Sequence, residues 1–281
     1  MNISNIKKSL FITVLCFFVT SVNANEKTTT EAYKFGVFPY LTPDHMRKIY
    51  SPVNQRLNSA LQPESQFLTE SSHRKFIHKL NNEIYDFALI PPFWYPVAVD
   101  KKNYKALLKM KEPFSALIVT LDDAPIYSVK DLKGKVVATP PVFAPVVNLA
   151  IAELVEQGMV PSIDLKLKAH ETADACLRQV IDAKASACIS PPYVPSFIED
   201  QMKVKFRTIM TSSSIPSVSL VVHSRVDEAT RYKIMSVFST LSDTDQGRKI
   251  LRTMQTEGFV PIHDDEYNVV RALLKKIKPM H

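Results

Sequence analysis

The sequence predicts an α/β protein of two lobes facing each other across a cleft, each lobe a mixed β-sheet flanked by helices. Three observations lead there. Strand-like and helix-like segments alternate, stop at a polar stretch over 122–135, and then alternate again. Three short apolar runs each break into a proline pair with an aromatic residue close behind. The chain has 281 residues, 46% of them hydrophobic, which is enough to bury two cores.

The first residues read as a secretion signal. Lys7 and Lys8 precede an apolar stretch over 10–22 that is short for a bilayer span, and Val22-Asn23-Ala24 offers a cleavage site. Cys16 follows Leu15 and lacks the small residue that lipoprotein processing wants before it. A soluble periplasmic chain starting near Asn25 is expected.

Residues 33–38 are aromatic and β-branched enough for a strand. Pro43 then opens a helix whose apolar positions Met46, Ile49, Val53, Leu57 and Leu61 recur at three or four residues. A strand at 66–69, a helix at 72–80 and a strand at 85–90 complete a β-α-β-α-β run, the mark of a mostly parallel sheet. Extended segments follow at 104–110 and 115–121. After the polar stretch come a strand at 135–138, a helix at 145–157, a strand at 165–169, a helix at 172–183 and a strand at 186–189. Strands at 204–210 and 218–223 lead into a helical tail at 227–241, 245–255 and 265–277, the last with Val269, Val270, Leu273, Leu274 and Ile277 on one side.

The cassettes carry the functional signal. Phe87-Ala-Leu-Ile90 runs into Pro91-Pro92-Phe93-Trp94-Tyr95-Pro96. Val136-Val137-Ala138 runs through Thr139 into Pro140-Pro141-Val142-Phe143-Ala144-Pro145. Ala187-Cys188-Ile189 runs through Ser190 into Pro191-Pro192-Tyr193-Val194-Pro195. Proline has no N–H, so it ends strands and cannot donate a hydrogen bond. Ligands of open α/β sheets bind just past the carboxyl ends of strands. The cassettes therefore point to one pocket, rich in rings and poor in backbone donors; three unrelated strand stops are the plainer alternative.

Charge and titratable residues narrow the class. Residues 1–24 hold two lysines and no acid, so the mature chain stays mildly basic against the formal +7 of the whole. Lys101-Lys102 and Lys275-Lys276 are dispersed pairs on solvated faces, not a nucleic-acid footprint. Cys176 and Cys188 fall about 10 Å either side of one helix–strand turn. That placement allows a disulfide in an oxidising compartment and equally two separate buried thiols. His45, His73, His78, His170, His223, His263 and His281 are scattered without zinc-protease or finger spacing. No metal or cofactor is expected. A site assembled in three dimensions from His73, His170 and a cysteine is the alternative to surface or supporting histidines.

Taken in order, several stretches resemble periplasmic solute-binding proteins of the phosphate, phosphite and phosphonate type. They are Phe35-Gly-Val-Phe-Pro-Tyr40 before a helix, residues 82–92, and Ser128-Val-Lys-Asp-Leu-Lys-Gly-Lys135 before a strand. His170-Glu171 at a helix start, Ile215-Pro216 before a strand and Gly258-Phe-Val-Pro261 near the end fit the same template. The resemblance implies a type II periplasmic binding protein fold, with crossings near 113–121 and 209–217. It places residues 25–115 and 213–281 in the first lobe and 116–212 in an inserted second one. It also implies closure over a small ligand and delivery to a membrane transporter, or to a membrane sensor.

The departures from the family pattern set the ligand expectation. Phosphonate-binding relatives hold the oxyanion with a Ser-Thr-Ser-Gly loop at a helix start, where hydroxyls, N–H groups and the helix dipole favour negative charge. Here the same stretch is Thr139-Pro-Pro-Val-Phe-Ala-Pro145, with one hydroxyl and three prolines. The polar contact after the later second-lobe strand becomes Ser190-Pro-Pro-Tyr193, and the tyrosine opening the second helix becomes His73, flanked by Ser71 and Ser72. Tyr95 and His170 match their family positions, although the glycine before the former is Pro91.

Tyr40, Phe93, Trp94, Tyr95, Phe143 and Tyr193 are the rings expected around the cleft, with Ser72, His73, Thr139 and His170 as its polar groups. For Trp94 and Tyr95 pocket wall and core are both open; for Phe93 and Phe143 core is the stronger reading. Such walls suit a flat apolar ligand or an organic cation, although the cassettes supply no carboxylate. An enzyme finds no support: there is no G-x-S-x-G, no P-loop and no Rossmann fingerprint, and Asp122-Asp123 and Asp264-Asp265 read as a turn and a helix start. A periplasmic hydrolase is the remote alternative. The expected protein is a monomeric solute-binding protein that takes a small organic ligand, not a phosphonate, and serves an inner-membrane ABC permease. A ligand-sensing receptor for a membrane sensor kinase is the runner-up.

Overall fold

The alternation in the sequence resolves into two mixed sheets with helices packed against them. The computed structural model describes residues 31–142 and 144–276, so the stretch read as a secretion signal, Phe143 and Ile277 lie outside the described residues. The first half runs β1 (Tyr33–Val37), α1 (Pro43–Ala60), β2 (Ser65–Leu68), α2 (His73–Asn81), β3 (Phe87–Ile90), α3 (Tyr95–Lys101) and β4 (Tyr104–Met110). The inserted half runs β5 (Leu117–Leu121), β6 (Val136–Thr139), α4 (Pro145–Glu156), β7 (Lys166–Ala169), α5 (Ala173–Ile181), β8 (Ala187–Ser190), α6 (Pro195–Met202) and β9 (Phe206–Thr211). The chain then returns through β10 (Ser219–His223), α7 (Glu228–Ser239), α8 (Asp245–Met254), β11 (Phe259–Pro261) and α9 (Asn268–Lys276).

The two sheets share one plan. The first is ordered β11-β4-β10-β3-β1-β2 and the second β7-β6-β8-β5-β9. In each, three strands run parallel (β2, β1, β3 and β7, β6, β8). The next strand, β10 or β5, is antiparallel and receives the chain from a crossing segment. In the first sheet Phe35 is fully buried, stacks on Phe87 at 4.9 Å and meets Phe238 edge-on at 6.0 Å. Gly36 follows it because the Tyr85 ring lies against the strand: a Cβ there would come within 2.6 Å of that ring. The second core gathers Ile118, Val137, Leu154 and Ile189.

Between the sheets the chain crosses twice, and the crossings are paired. Phe114 and Ile215 exchange both backbone hydrogen bonds at 2.8 Å each. Met110 N donates to Val218 O and Ser212 N to Ala116 O, each at 2.9 Å. Ala116 N is taken by the Ser212 hydroxyl at 2.9 Å. The result is a narrow two-stranded ribbon whose backbone groups satisfy each other.

Four elements differ from the sequence reading. The short helices α3 and α6 follow the first and third cassettes, where no apolar period is long enough to register. The three-residue strand β11 pairs with β4 through Phe259, Val260 and Pro261. The last helix begins at Asn268, because residues 264–267 form a 3-10 turn. Cys176 and Cys188, left open above, are joined by a disulfide with their Cα atoms 5.8 Å apart, within the usual span. The bridge ties α5 to β8.

Because this disulfide closes a short loop of 12 residues' separation, the chain-entropy model predicts that the Cys176→Ala, Cys188→Ala pair costs about 3 kcal/mol. Chemical denaturation with and without reductant measures it, and intact mass should rise by two hydrogens on reduction. An unchanged mass would rule the bridge out.

Candidate functional site

The carboxyl ends of β1, β3, β6 and β8 meet, and so do the three cassettes. Pro91, Pro140, Pro145 and Pro191 line one compartment together with Phe38, Tyr40, His73, Phe114 and Tyr193. It holds about 20 Å³, room for a single water. A second compartment of about 20 Å³ lies on the first-sheet side, against Tyr40, Tyr50, Leu89, Pro91, Met110 and Tyr193. A third, of about 110 Å³, sits beyond Phe114 and is lined by Glu112, Pro192, Tyr193, Ser217 and Gln255. Tyr193 belongs to all three and divides them.

The last proline of each cassette has a local reason. Pro145 and Pro195 stand at the first position of α4 and α6, and Pro96 at the second of α3, where a missing N–H costs no intrahelical bond. The hydroxyls beside the cassettes turn inward as well. Thr139 Oγ1 donates to the Pro140 carbonyl at 2.6 Å, and Ser190 Oγ to the Pro191 carbonyl at 3.1 Å. Both residues are fully buried. The two side chains best placed to replace a lost amide donor are thus engaged with the loop itself.

Of the residues expected at the site, Tyr40, His73 and Tyr193 line the compartments. The Tyr40 ring meets Tyr193 edge-on at 4.9 Å, and its hydroxyl shares a hydrogen bond with Tyr50 at 3.1 Å. Burial raises the Tyr40 and Tyr193 hydroxyls well above the ordinary phenol range, with neighbouring Tyr50 adding to both, so both stay neutral. His73 packs on Phe38 with ring centres 4.4 Å apart. Burial pushes its pKa down to about 4, while the Pro39 carbonyl pulls the other way.

The structure carries the other candidates elsewhere. After Pro91 the chain coils at once into a 3-10 turn over Pro92–Trp94, which swings the rings away from the cleft. Phe93 joins the second core cluster, and Trp94 is half-buried against the cluster around Phe76 and Tyr85. Tyr95 is fully buried, stacked on Tyr267 at 3.8 Å, with its hydroxyl donating to Asp264 at 2.9 Å. Ser72 caps α2 by accepting from Lys75 N. His170 borders none of these three compartments; its backbone N–H donates to the Thr139 carbonyl at 2.8 Å, and burial and Lys168 lower its pKa. Among the described residues no group of three or more His, Cys, Asp or Glu could hold a metal ion.

Residues not singled out from sequence complete the site. Phe38 and Phe114 are wall rings; each stands next to a proline at the end of a strand-like run, as in Phe38-Pro39-Tyr40 and Glu112-Pro113-Phe114. That single-proline version of the cassette was the available signal. Asp174 on α5 has none, since it reads as an ordinary first-turn acid. It is fully buried, with Oδ2 3.3 Å from His45 Nδ1 and accepting from Thr42 N at 3.4 Å. Beside it Ala173 N donates to the Tyr40 carbonyl at 3.1 Å. Ser196 Oγ donates to Gln255 Oε1 at 2.8 Å. These contacts join the inserted half directly to the first.

The chain matches the family of periplasmic substrate-binding proteins of ABC phosphonate transporters over residues 35–267. No curated protein matches closely in sequence. Among solved structures it is similar to a binding protein of an ABC phosphonate transporter from Pseudomonas aeruginosa (13% identity, 86% of this chain and 85% of that one, TM-score 0.75). It is also similar to PhnD1 from Prochlorococcus marinus in complex with methylphosphonate (13%, 88% and 98%, TM-score 0.77). The aliphatic sulphonate binding protein SsuA from Escherichia coli follows (14%, 88% and 86%, TM-score 0.57). At such identities the likeness shows the fold.

For the buried His73 the unfolded chain binds the proton more readily than the folded one, so its contribution to stability is complete above about pH 6.5 and is lost as pH falls toward about 4. Denaturation midpoints should drop over that window, by up to about 3 kcal/mol in stability. His73→Phe should flatten this part of the profile. An unchanged profile in that variant would show that His73 titrates normally.

Proposed function

This chain belongs to the family of periplasmic substrate-binding proteins of ABC phosphonate transporters, and we propose that its own ligand is a small organic molecule without a phosphonate group, captured between the two lobes. Members of this family bind and deliver a substrate; they are not enzymes. No helix among the described residues is long and apolar enough to cross a membrane. The partner proposed is an ABC permease of the inner membrane.

One observation carries the ligand reading. Four prolines from the three cassettes face the same compartment, and the adjacent Thr139 and Ser190 hydroxyls already donate to carbonyls of the loops. An anionic oxygen entering there loses water and finds few donors in return, at a cost of about 1–3 kcal/mol for each bond left unmade. Neither lysine nor arginine lines any of the three compartments, so no side-chain charge offsets that loss.

Closure follows from the ribbon of crossings. We take residues 25–115 and 213–281 as one lobe and 116–212 as the other. The backbone of 111–116 and 212–218 absorbs the rotation while Phe114 and Ile215 keep the segments paired. Closing brings Ala173 and Asp174 onto Tyr40, Thr42 and His45, and a ligand touching both lobes adds to the same state. Tyr193 lines all three compartments, so movement of its side chain is what would join them.

Thermal unfolding of the purified protein tests this. Methylphosphonate, phosphite and phosphate at millimolar concentration should leave Tm unchanged, whereas a panel of small phosphorus-free organic molecules should contain compounds that raise it by several degrees. Tyr193→Ala should abolish those rises, and its melting curve, lowered by the lost ring contacts, should still show a single cooperative transition. A clear rise with methylphosphonate would sink the reading.

A further inference from the structure

The compartment beyond Phe114 differs from the other two in carrying a carboxylate. Glu112 lines it together with Ser217, Gln255 and the rings of Phe114 and Tyr193. The carboxylate is held in place: Oε2 accepts from the Thr256 hydroxyl and Oε1 from Glu257 N, each at 2.6 Å. Each of these oxygens can accept a second bond. Gln255 Oε1 is also an acceptor here, while its amide nitrogen is tied to the Arg252 carbonyl at 3.0 Å.

No lysine or arginine lines this compartment, although Lys111, next in the chain, feels the Glu112 charge. Lys111 pairs with Glu257 at 2.7 Å, and Lys249 and Arg252 line a separate open groove outside Gln255. His73, across the cleft, is held neutral by burial. The cleft therefore offers a carboxylate, amide and carbonyl acceptors, and neutral rings. Phe114 and Tyr193 have ring centres 6.5 Å apart, tilted by 52°, and both line the compartment with Glu112. A carboxylate losing its water on closure needs a countercharge, and an ammonium group between aromatic faces supplies one.

We infer that the ligand is a small organic cation whose ammonium group is held by Glu112 and the rings of Phe114 and Tyr193. This inference rests on the cleft being the ligand site, as proposed above. It adds a link to closure, because Glu112 lies two residues from the Phe114 pairing in the crossing ribbon. A cation drawn to Glu112 would sit beside the segment on which the lobes turn.

Calorimetric titration with choline and butylammonium, against the uncharged 3,3-dimethylbutan-1-ol and pentan-1-ol, tests it. The cations should bind at least tenfold more tightly than the alcohols, a gap of about 1.4 kcal/mol. Glu112→Gln should remove that gap, Glu112→Asp should keep most of it, and the melting curve of each variant checks its fold. Should Glu112→Gln fold poorly, Gln255→Lys at an exposed position places a competing ammonium in the same compartment and should weaken only the cations. Alcohols binding as tightly as cations, with the binding lost in Tyr193→Ala, would overturn the cation assignment and leave the cleft reading standing. Binding of methylphosphonate in the same titration would overturn both. Heat from none of the four compounds, or cation binding indifferent to Glu112→Gln and Gln255→Lys, would overturn the cation assignment.

Discussion

The missing N–H of proline at three strand ends is the constraint on which this cleft depends. A strand that ends in Pro-Pro presents carbonyls and ring methylenes where other loops would present amide donors. The cassettes also do something the strands need, since their final prolines stand at the starts of α3, α4 and α6 and preset those helices. One residue type thus ends the strand, starts the helix and strips donors from the intervening loop. Thr139 and Ser190 complete the effect by bonding to the carbonyls of Pro140 and Pro191.

Electrostatic consequences run in one direction. A helix start favours anions through its free N–H groups and its dipole together. Proline at the first helical position leaves the dipole but removes a donor and buries the remainder under apolar ring surface. The wall around Pro91, Pro140 and Pro191 is accordingly polar only through His73 and the phenols, which burial keeps uncharged. On the proposed reading the ligand lies between the lobes, and the donors present there govern which chemistry it has.

Much of the fold was legible because its signals are periodic. The apolar positions Met46, Ile49, Val53 and Leu57 of α1 are all buried as their spacing requires, and the β-α-β-α-β runs became parallel strands. Two turns of helix behind a proline leave no such period, which is why α3 and α6 were missed. The site was legible in its backbone and less so in its rings. Proline positions follow from strand ends, whereas the direction of Trp94 and Tyr95 depends on a 3-10 turn that no spacing announces. Tyr95 further depends on Tyr267 and Asp264, far along the chain, which stack on it and accept its hydroxyl. Asp174 stayed hidden because an acid that tertiary packing buries looks, in sequence, like any other exposed acid, and Glu112 because its partners Thr256 and Glu257 lie far along the chain.

The disulfide has a place in this arrangement beyond stability. Cys176 is two residues after Asp174 on α5, and Cys188 is two residues before Ser190 on β8. The bridge therefore couples the helix start that touches Tyr40, Thr42 and His45 to the cassette that carries Pro191 and Tyr193. Both surfaces of the inserted lobe that meet the first lobe are then parts of one rigid unit. In the closure proposed above, Asp174 and Tyr193 would arrive together, so that the fit of the lobes at Thr42 and His45 would also fix where the dividing ring stands in the cleft. Closure and the shape of the cavity would then be a single event, because two sulfurs join the elements that produce them.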